Sequence, residues 1–578
     1  MPLALDTECY PNFHLICIND KEWHTSDKYS VEDRKEIRDT MRASTTYGFN
    51  SIHYDMPIIH ALIQGKSVKM LYAISKDIIE NGSPHWITYR EHRIEQYSGF
   101  DHFDIKEPSP AVMISLKMYG ARMHMKQLQD LPYDPHTKLT EDQKQEVIAY
   151  CFNDIATTKA LYSAIKGRAK LRNELTEKYG QDLRSKSDAQ IAEAIIKSEV
   201  ESVKKSKEPD YVEYDFPKFI RRTTATAEVY DFIADRKFEL KNGKITLPKE
   251  MPNVTIGEML YKFGVGGIHS TESSQEVKPT KNQILADRDV GSYYPAIILE
   301  LGLYPEGVGK KFLTTYRKIF EQRLEAKELA KMGDKSAALL RDGYKIALNG
   351  SYGKFGSPYS FLYSPQLLLQ TTLTGQLALL QLVEALHKKG ITTVSANTDG
   401  IVSIMDKELY DVYDETCKKW EELTGFNLEE TRYRSLNSAN VNNYIAITPE
   451  GEVKGKGDYA EPSLMKSPRC AILSTAVKSY LLNGTKISKT IRECKDITQF
   501  IAVRQVKGGG VWRDDELGKV VRWYYSTKGE AITYVSNGNK VATSDGAMPV
   551  MTLPDNFPDD IDYDLYIDKA NKMLEKLC

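Results

Sequence analysis

Carboxylates close or follow apolar segments at four separate places in this chain, and that placement constrains the fold more than any other feature. Leu3-Ala4-Leu5 runs into Asp6, Thr45–Phe49 is followed by Asp55, Ile284-Leu285-Ala286 leads to Asp289, and Ile391–Met405 alternates apolar residues around Asp399-Gly400. An extended apolar run closed by a carboxylate reads as a strand that emerges from a core, and the last segment reads as strand, tight turn and strand. Helical stretches lie between these strands, so the chain is read as α/β. At 578 residues it should form two to four packed units rather than one core.

Composition permits such cores. Hydrophobic residues at 41% and charged residues at 27% exclude a disordered, collagen-like or coiled-coil chain. The N-terminus, Met1 to Asp6, has neither a basic nor an apolar targeting region, and no run of about 18 apolar residues occurs, so a soluble, unsecreted, cytoplasmic protein without membrane contact is expected. Seven scattered cysteines without a CxxC pair predict reduced thiols and no structural zinc. A net charge of -2 excludes a uniformly basic coat, but charge is partitioned. Lys478 to Asp545 holds twelve Lys or Arg against seven Asp or Glu, whereas Pro554 to Asp568 holds six aspartates and no Lys or Arg.

Near the N-terminus, Asp6 and Glu8 are two apart on an extended segment and so share one face of a strand. Asp55 adds a third carboxylate. Thr140-Glu141-Asp142-Gln143 is a capping box that should open a helix reaching about Ile165, on which Tyr150 and Asp154 share a face at a spacing of four. Four such carboxylates would repel one another without cations, which makes the group intelligible as a site for two Mg²⁺ or Mn²⁺ ions. Taken alone, an acidic pair such as Asp6 and Glu8 is more often a solvated strand edge, and it is the gathering of the four carboxylates that points to a metal site.

A second constellation follows. Asp289-Val290-Gly291-Ser292-Tyr293-Tyr294-Pro295 closes the third apolar run. Lys345, Asn349, Tyr352 and Gly353 form K-x3-N-x-x-Y-G, which begins on the second arm of a helical hairpin predicted from Tyr316 to Ala347 with its break at Gly333. Asn397-Thr398-Asp399-Gly400 stands in the tight turn.

Taken in order, Asp6-x-Glu8, Asn50-x4-Asp55 and Tyr150-x3-Asp154 resemble the three exonuclease motifs of family B DNA polymerases, and the later three resemble motifs A, B and C of the same family. The resemblance spans about 400 residues. It implies a ribonuclease H-like exonuclease followed by a right-hand polymerase with a ferredoxin-like palm, short helical fingers and a thumb. The expected boundaries are 1–200 for the exonuclease, 201–285 for a connecting segment with a template-contacting glycine loop, 286–305 and 351–470 for the palm, 306–350 for the fingers, and 471–578 for the thumb and tail.

The resemblance also implies roles. Asp6, Glu8, Asp55 and Asp154 would hold metal in the exonuclease, with Tyr150 orienting water or phosphate and Lys117 placed on the scissile phosphate. Asp289, Asp399 and the carbonyl of Val290 would hold two Mg²⁺ ions in the polymerase, with Mn²⁺ able to substitute. Arg323, Lys327 and Lys345 would meet the dNTP triphosphate. Tyr294 would act as a steric gate, and Asn349 and Tyr352 would pack against the nascent base pair. Gly264, Gly266, Gly267 and His269 would approach the template, while Tyr444, Lys454 and Lys456 would grip the primer. The basic stretch with Trp512, Trp523, Tyr524 and Tyr525 would hold duplex phosphates.

The expected partners are primer-template DNA and dNTPs, with a processivity factor or single-strand-binding protein as accessory. The short gaps, 56 residues from Asp289 to Lys345 and 50 from Asn349 to Asp399, leave no room for the insertions of protein-primed members, so no terminal protein is expected. Lack of the larger members' N-terminal domain suggests a compact, phage-type member acting in the host cytoplasm. Three departures stand out: Asn397 replaces the first aspartate of motif C, Gly400 replaces its serine, and Asn442 replaces a common lysine before Tyr444. An exonuclease with a weak polymerase half, or a non-catalytic primer-end scaffold, is the alternative reading.

Overall fold

The computed structural model describes residues 2–111, 114–200, 204 and 206–577. Part of the polar stretch Lys197–Pro209, and Cys578, lie outside them. The fold is mixed α/β and divides into two compact units. No helix among the described residues is long and apolar enough to cross a membrane, and the six described cysteines are all free.

The first unit comprises residues 1–187, 462–471 and 494–563. Its five-stranded sheet runs Lys21–Thr25, Phe13–Ile18, Leu3–Tyr10, Thr46–Gly48, His102–Asp104. The first three strands are antiparallel and the last two join in parallel. The predicted capping box is present: Thr140 accepts from the Gln143 amide, Gln143 accepts from the Thr140 amide, and the helix spans Glu141–Ala164. Val147, Ile148, Cys151, Ile155 and Leu161 of that helix pack on Ala4, Leu15 and Tyr47, so helix and sheet share one apolar core.

Besides its helices, this unit holds a four-stranded sheet, Thr533–Tyr534, Ala502–Trp512, Asp515–Glu530, Ala547–Pro549. Here the structure corrects the sequence reading. Trp523, Tyr524 and Tyr525 are buried core residues. Arg522 is fully buried, its guanidinium donating to the carbonyls of Met125 (2.6 Å), Val550 (2.7 Å), Met551 (2.9 Å) and Lys126 (3.3 Å). These side chains hold the fold together and cannot meet phosphates. Residues 494–563 fall in one compact unit with residues 1–187, and the strands Ala502–Trp512 and Asp515–Glu530 pack on the helix Leu116–Arg122.

The second unit comprises residues 188–461, 472–493 and 564–578. Its seven-stranded sheet runs Leu428–Tyr433, Gln283–Val290, Gly400–Asp406, Thr392–Asn397, Gly267–Ser270, Met259–Gly264, Val254–Ile256. Three of those strands, Val254–Ile256, Met259–Gly264 and Gly267–Ser270, lie in the second half of 201–285, while Tyr211–Val212, Phe238–Lys241 and Lys244–Ile245 form a small sheet of their own. The helix Pro365–His387 is buried nearly all round. Helices Lys311–Lys331 and Lys335–Phe355 form the predicted hairpin, the second continuing through Gly353. The helix Asp188–Glu199 packs on it, which puts the division between units at 187 rather than 200.

Candidate active sites

In the first unit, Asp6 and Glu8 project from the central strand, with Asp6 opposite Cys17 and Glu8 opposite Leu15. Asp55 opens the helix Asp55–Ile63 and accepts a hydrogen bond from Thr7 Oγ1 at 2.7 Å. All four carboxyls are pushed up. Burial is the largest cause for Asp6, followed by Asp55 and Glu8, and for Glu8 it is followed by Asp154 and Asp55. Burial takes Asp55 to about 7 against the Thr7 hydrogen bond, and Asp154 to about 6 against the Tyr150 phenol and Lys117. Lys117 Nζ lies 2.7 Å from Asp130 Oδ2. The sequence-predicted exonuclease residues are therefore electrostatically in contact, and the repulsion among them is what a divalent cation would relieve.

Sequence reasoning did not single out two neighbours. Cys151 Sγ lies 3.9 Å from Asp6 Oδ2, and its donor atom with those of Asp6 and Glu8 falls within a 4.8 Å group. Asp104 is buried beside Asp55 and accepts from the amides of Asn50, Ile52 and Lys106.

In the second unit, Asp289 lies opposite Gly400, and Asn397 faces Gly400 from the other side. The turn between Asn397 and Gly400 consists of Thr398, in the left-handed region at φ 48°, and Asp399. The Val290 amide donates to the Asp399 carbonyl at 2.7 Å, tying the two acidic segments together. A Cβ at Gly400 would lie 2.0 Å from Asp289 Oδ1, so only glycine leaves room for that carboxylate. Gly267 plays the matching part under the turn, where a Cβ would meet Thr398 Cγ2 at 2.8 Å.

A cavity of about 350 Å³ opens here, lined by Asp287, Asp289, Asn397, Asp399, Ser438, Tyr444, Lys454 and Lys456 among others. Burial raises the Asp289 and Asp399 carboxyls, and Asp289 raises Asp399 further. Lys454 is held protonated, Tyr444 and Asp287 outweighing its burial. The donor set fits a hard divalent cation: carboxylates, an amide oxygen and the Ser438 hydroxyl, which is buried without a partner among the described residues.

Tyr294 stacks on Tyr352 with centroids 4.4 Å apart, and its phenol donates to the Gly266 carbonyl at 2.6 Å. Tyr293 is buried and donates to the Gly375 carbonyl at 2.6 Å. His269 sits opposite Asn397. Lys327 is ion-paired with Glu429, which lies opposite Asp289, so the hairpin reaches the sheet at this point. Arg323, Lys345 and Asn349 are on the same hairpin but do not line the cavity.

Asp287 was missed, although the argument applied to Asp6-x-Glu8 applies equally to Asp287-x-Asp289. It is 6% exposed, accepts from the Tyr433 phenol at 2.7 Å, and burial together with Asp289 raises its carboxyl to about 6.

No family model and no curated protein matches the chain. Among solved structures, it is similar to the family B DNA polymerase from the hyperthermophilic archaeon Pyrobaculum calidifontis, with TM-score 0.41 and 15% identity over 100% of this chain and 77% of that one.

Proposed function

We propose that the chain is a template-directed DNA polymerase that extends a nucleic-acid primer and proofreads with a 3′ to 5′ exonuclease. The observation that carries this reading is the meeting of Asp289 and Asp399 at one cavity, from positions more than a hundred residues apart in sequence. Asp289, Asp399 and the Val290 carbonyl would hold two Mg²⁺ ions, which when bound supply the positive charge that an in-line displacement at the α-phosphate requires.

The chain's own residues do the rest. Tyr294, stacked on Tyr352 and donating to the Gly266 carbonyl, would act as the ring that excludes a 2′-hydroxyl. Lys454 and Lys456, on one face of the strand Val453–Lys456 and facing Tyr444, present two cations to the primer phosphates beside the carboxylates. Lys327 would exchange Glu429 for the triphosphate. Arg323, Lys345 and Asn349 would complete the dNTP contacts from the hairpin. Asp6, Glu8, Asp55 and Asp154 would hold the exonuclease ions, with Tyr150 orienting the attacked phosphate. The five-strand order with parallel and antiparallel halves supports a ribonuclease H-like exonuclease.

A labelled primer on a template, incubated with Mg²⁺ with and without dNTPs, tests the reading. Lengthening with dNTPs and shortening without them is expected. Shortening under both conditions would leave an exonuclease alone, and an unchanged band would leave a binding scaffold.

A further inference from the structure

We propose that Asp287 is the third carboxylate of the Asp289–Asp399 site and supplies the negative charge that Asn397 withholds. The proposal rests on the polymerase reading above and names a residue that the motif comparison does not.

Strand register carries the geometry. Asp289, Gly400, Asn397 and His269 form one row across four strands, and Asp287, Val402 and Ser395 form the next row on the same face. Residues two apart on a strand are about 6.7 Å apart, whereas residues two strands apart are about 9.6 Å apart. The Asp287 backbone is therefore closer to that of Asp289 than the Asn397 backbone is. All three side chains line the same cavity.

Asp287 is also built into place. The Tyr433 phenol donates to its Oδ2 at 2.7 Å, and Lys454 Nζ lies 3.7 Å from the same oxygen. A carboxylate this buried beside a second one is costly in an ion-free fold, and one lysine with half its side chain in solvent offsets little of that cost. The second observation is Ser438. Its hydroxyl is 1% exposed, has no hydrogen-bond partner among the described residues, and belongs to the wall of this cavity. A buried hydroxyl without a partner marks a place where a ligand or its water shell completes the bonding. The two positions read as an exchange: an amide at 397, where the family has an acid, and an acid at 287.

The test is Mn²⁺ binding to the full chain by electron paramagnetic resonance, in an Asp6→Asn/Glu8→Gln background that silences the other carboxylate group. Asp287→Asn should weaken binding at the remaining site about tenfold, and adding Asn397→Asp should restore it. Lys454→Ala, which removes a competing cation, should tighten binding. Thermal melting of each variant checks folding. Unchanged affinity in Asp287→Asn, failure of Asn397→Asp to restore it in a folded protein, or weakening by Lys454→Ala would overturn the proposal. The last result would make Asp287 a mere anchor for Lys454. Wild type that binds Mn²⁺ through Asp289 but never lengthens a primer would overturn the polymerase reading alone, and the Asp287→Asn comparison would still decide this one.

Discussion

The space beside Asp289 is measured in single atoms. Gly400→Ala places a methyl where the Asp289 carboxylate stands. Displacing a reacting group by about 1 Å can cost about 100-fold in rate, so primer extension should fall by that order while shortening of the same primer is unaffected. A variant that extends at the wild-type rate would show that Asp289 has no fixed place. The N-terminal carboxylates permit a pH prediction. Asp55 ionises near 7 and Asp154 near 6, against an ordinary 3.8. Below about pH 4 these groups are neutral in both folded and unfolded chains. As pH rises the unfolded chain ionises first, so the metal-free fold loses stability until about pH 7. Melting of the metal-free protein should therefore occur several degrees lower at pH 8 than at pH 5.5. Mg²⁺ should raise the melting point at pH 8 much more than at pH 5.5. Equal Mg²⁺ effects at both pH values would mean that these carboxylates do not share a cation.

What the sequence revealed at the scale of elements was whatever is local. The Thr140 capping box, the strand pair flanking Thr398-Asp399 and the helical hairpin were legible because periodicity, caps and turns act over a few residues. Burial of a charged or aromatic side chain depends on partners far along the chain. Trp523 belongs to a basic stretch expected to hold duplex phosphates, yet its neighbour Arg522 is enclosed by the carbonyls of Met125 and Lys126, some four hundred residues earlier. Asp287 was legible in principle, and was obscured because Asp289 alone satisfied the motif. Arg522→Ala would remove the guanidinium donor from the Met125 carbonyl, while the Lys126 carbonyl would keep the Leu553 amide at 2.8 Å. It should destabilise the first unit by about 3 kcal/mol or more, read as a lower denaturant midpoint. Lys327→Ala breaks a pair whose partner Glu429 is largely exposed, so it should barely move melting yet raise the dNTP concentration for half-maximal extension. A large melting shift with unchanged dNTP dependence would reverse that assignment.

For the molecule as a whole, the two carboxylate groups lie in different compact units and draw on different strands. Two chemistries should therefore be separable by mutation. Asp6→Ala/Glu8→Ala should abolish shortening and retain lengthening. The most direct measurement of the central claim is single-nucleotide incorporation on a primed template by wild type and Asp399→Ala, with Mg²⁺ and an exonuclease-silent background. Wild type should incorporate the templated dNTP, and Asp399→Ala should lose at least about a thousandfold in rate. Equal incorporation by the two proteins would contradict the account.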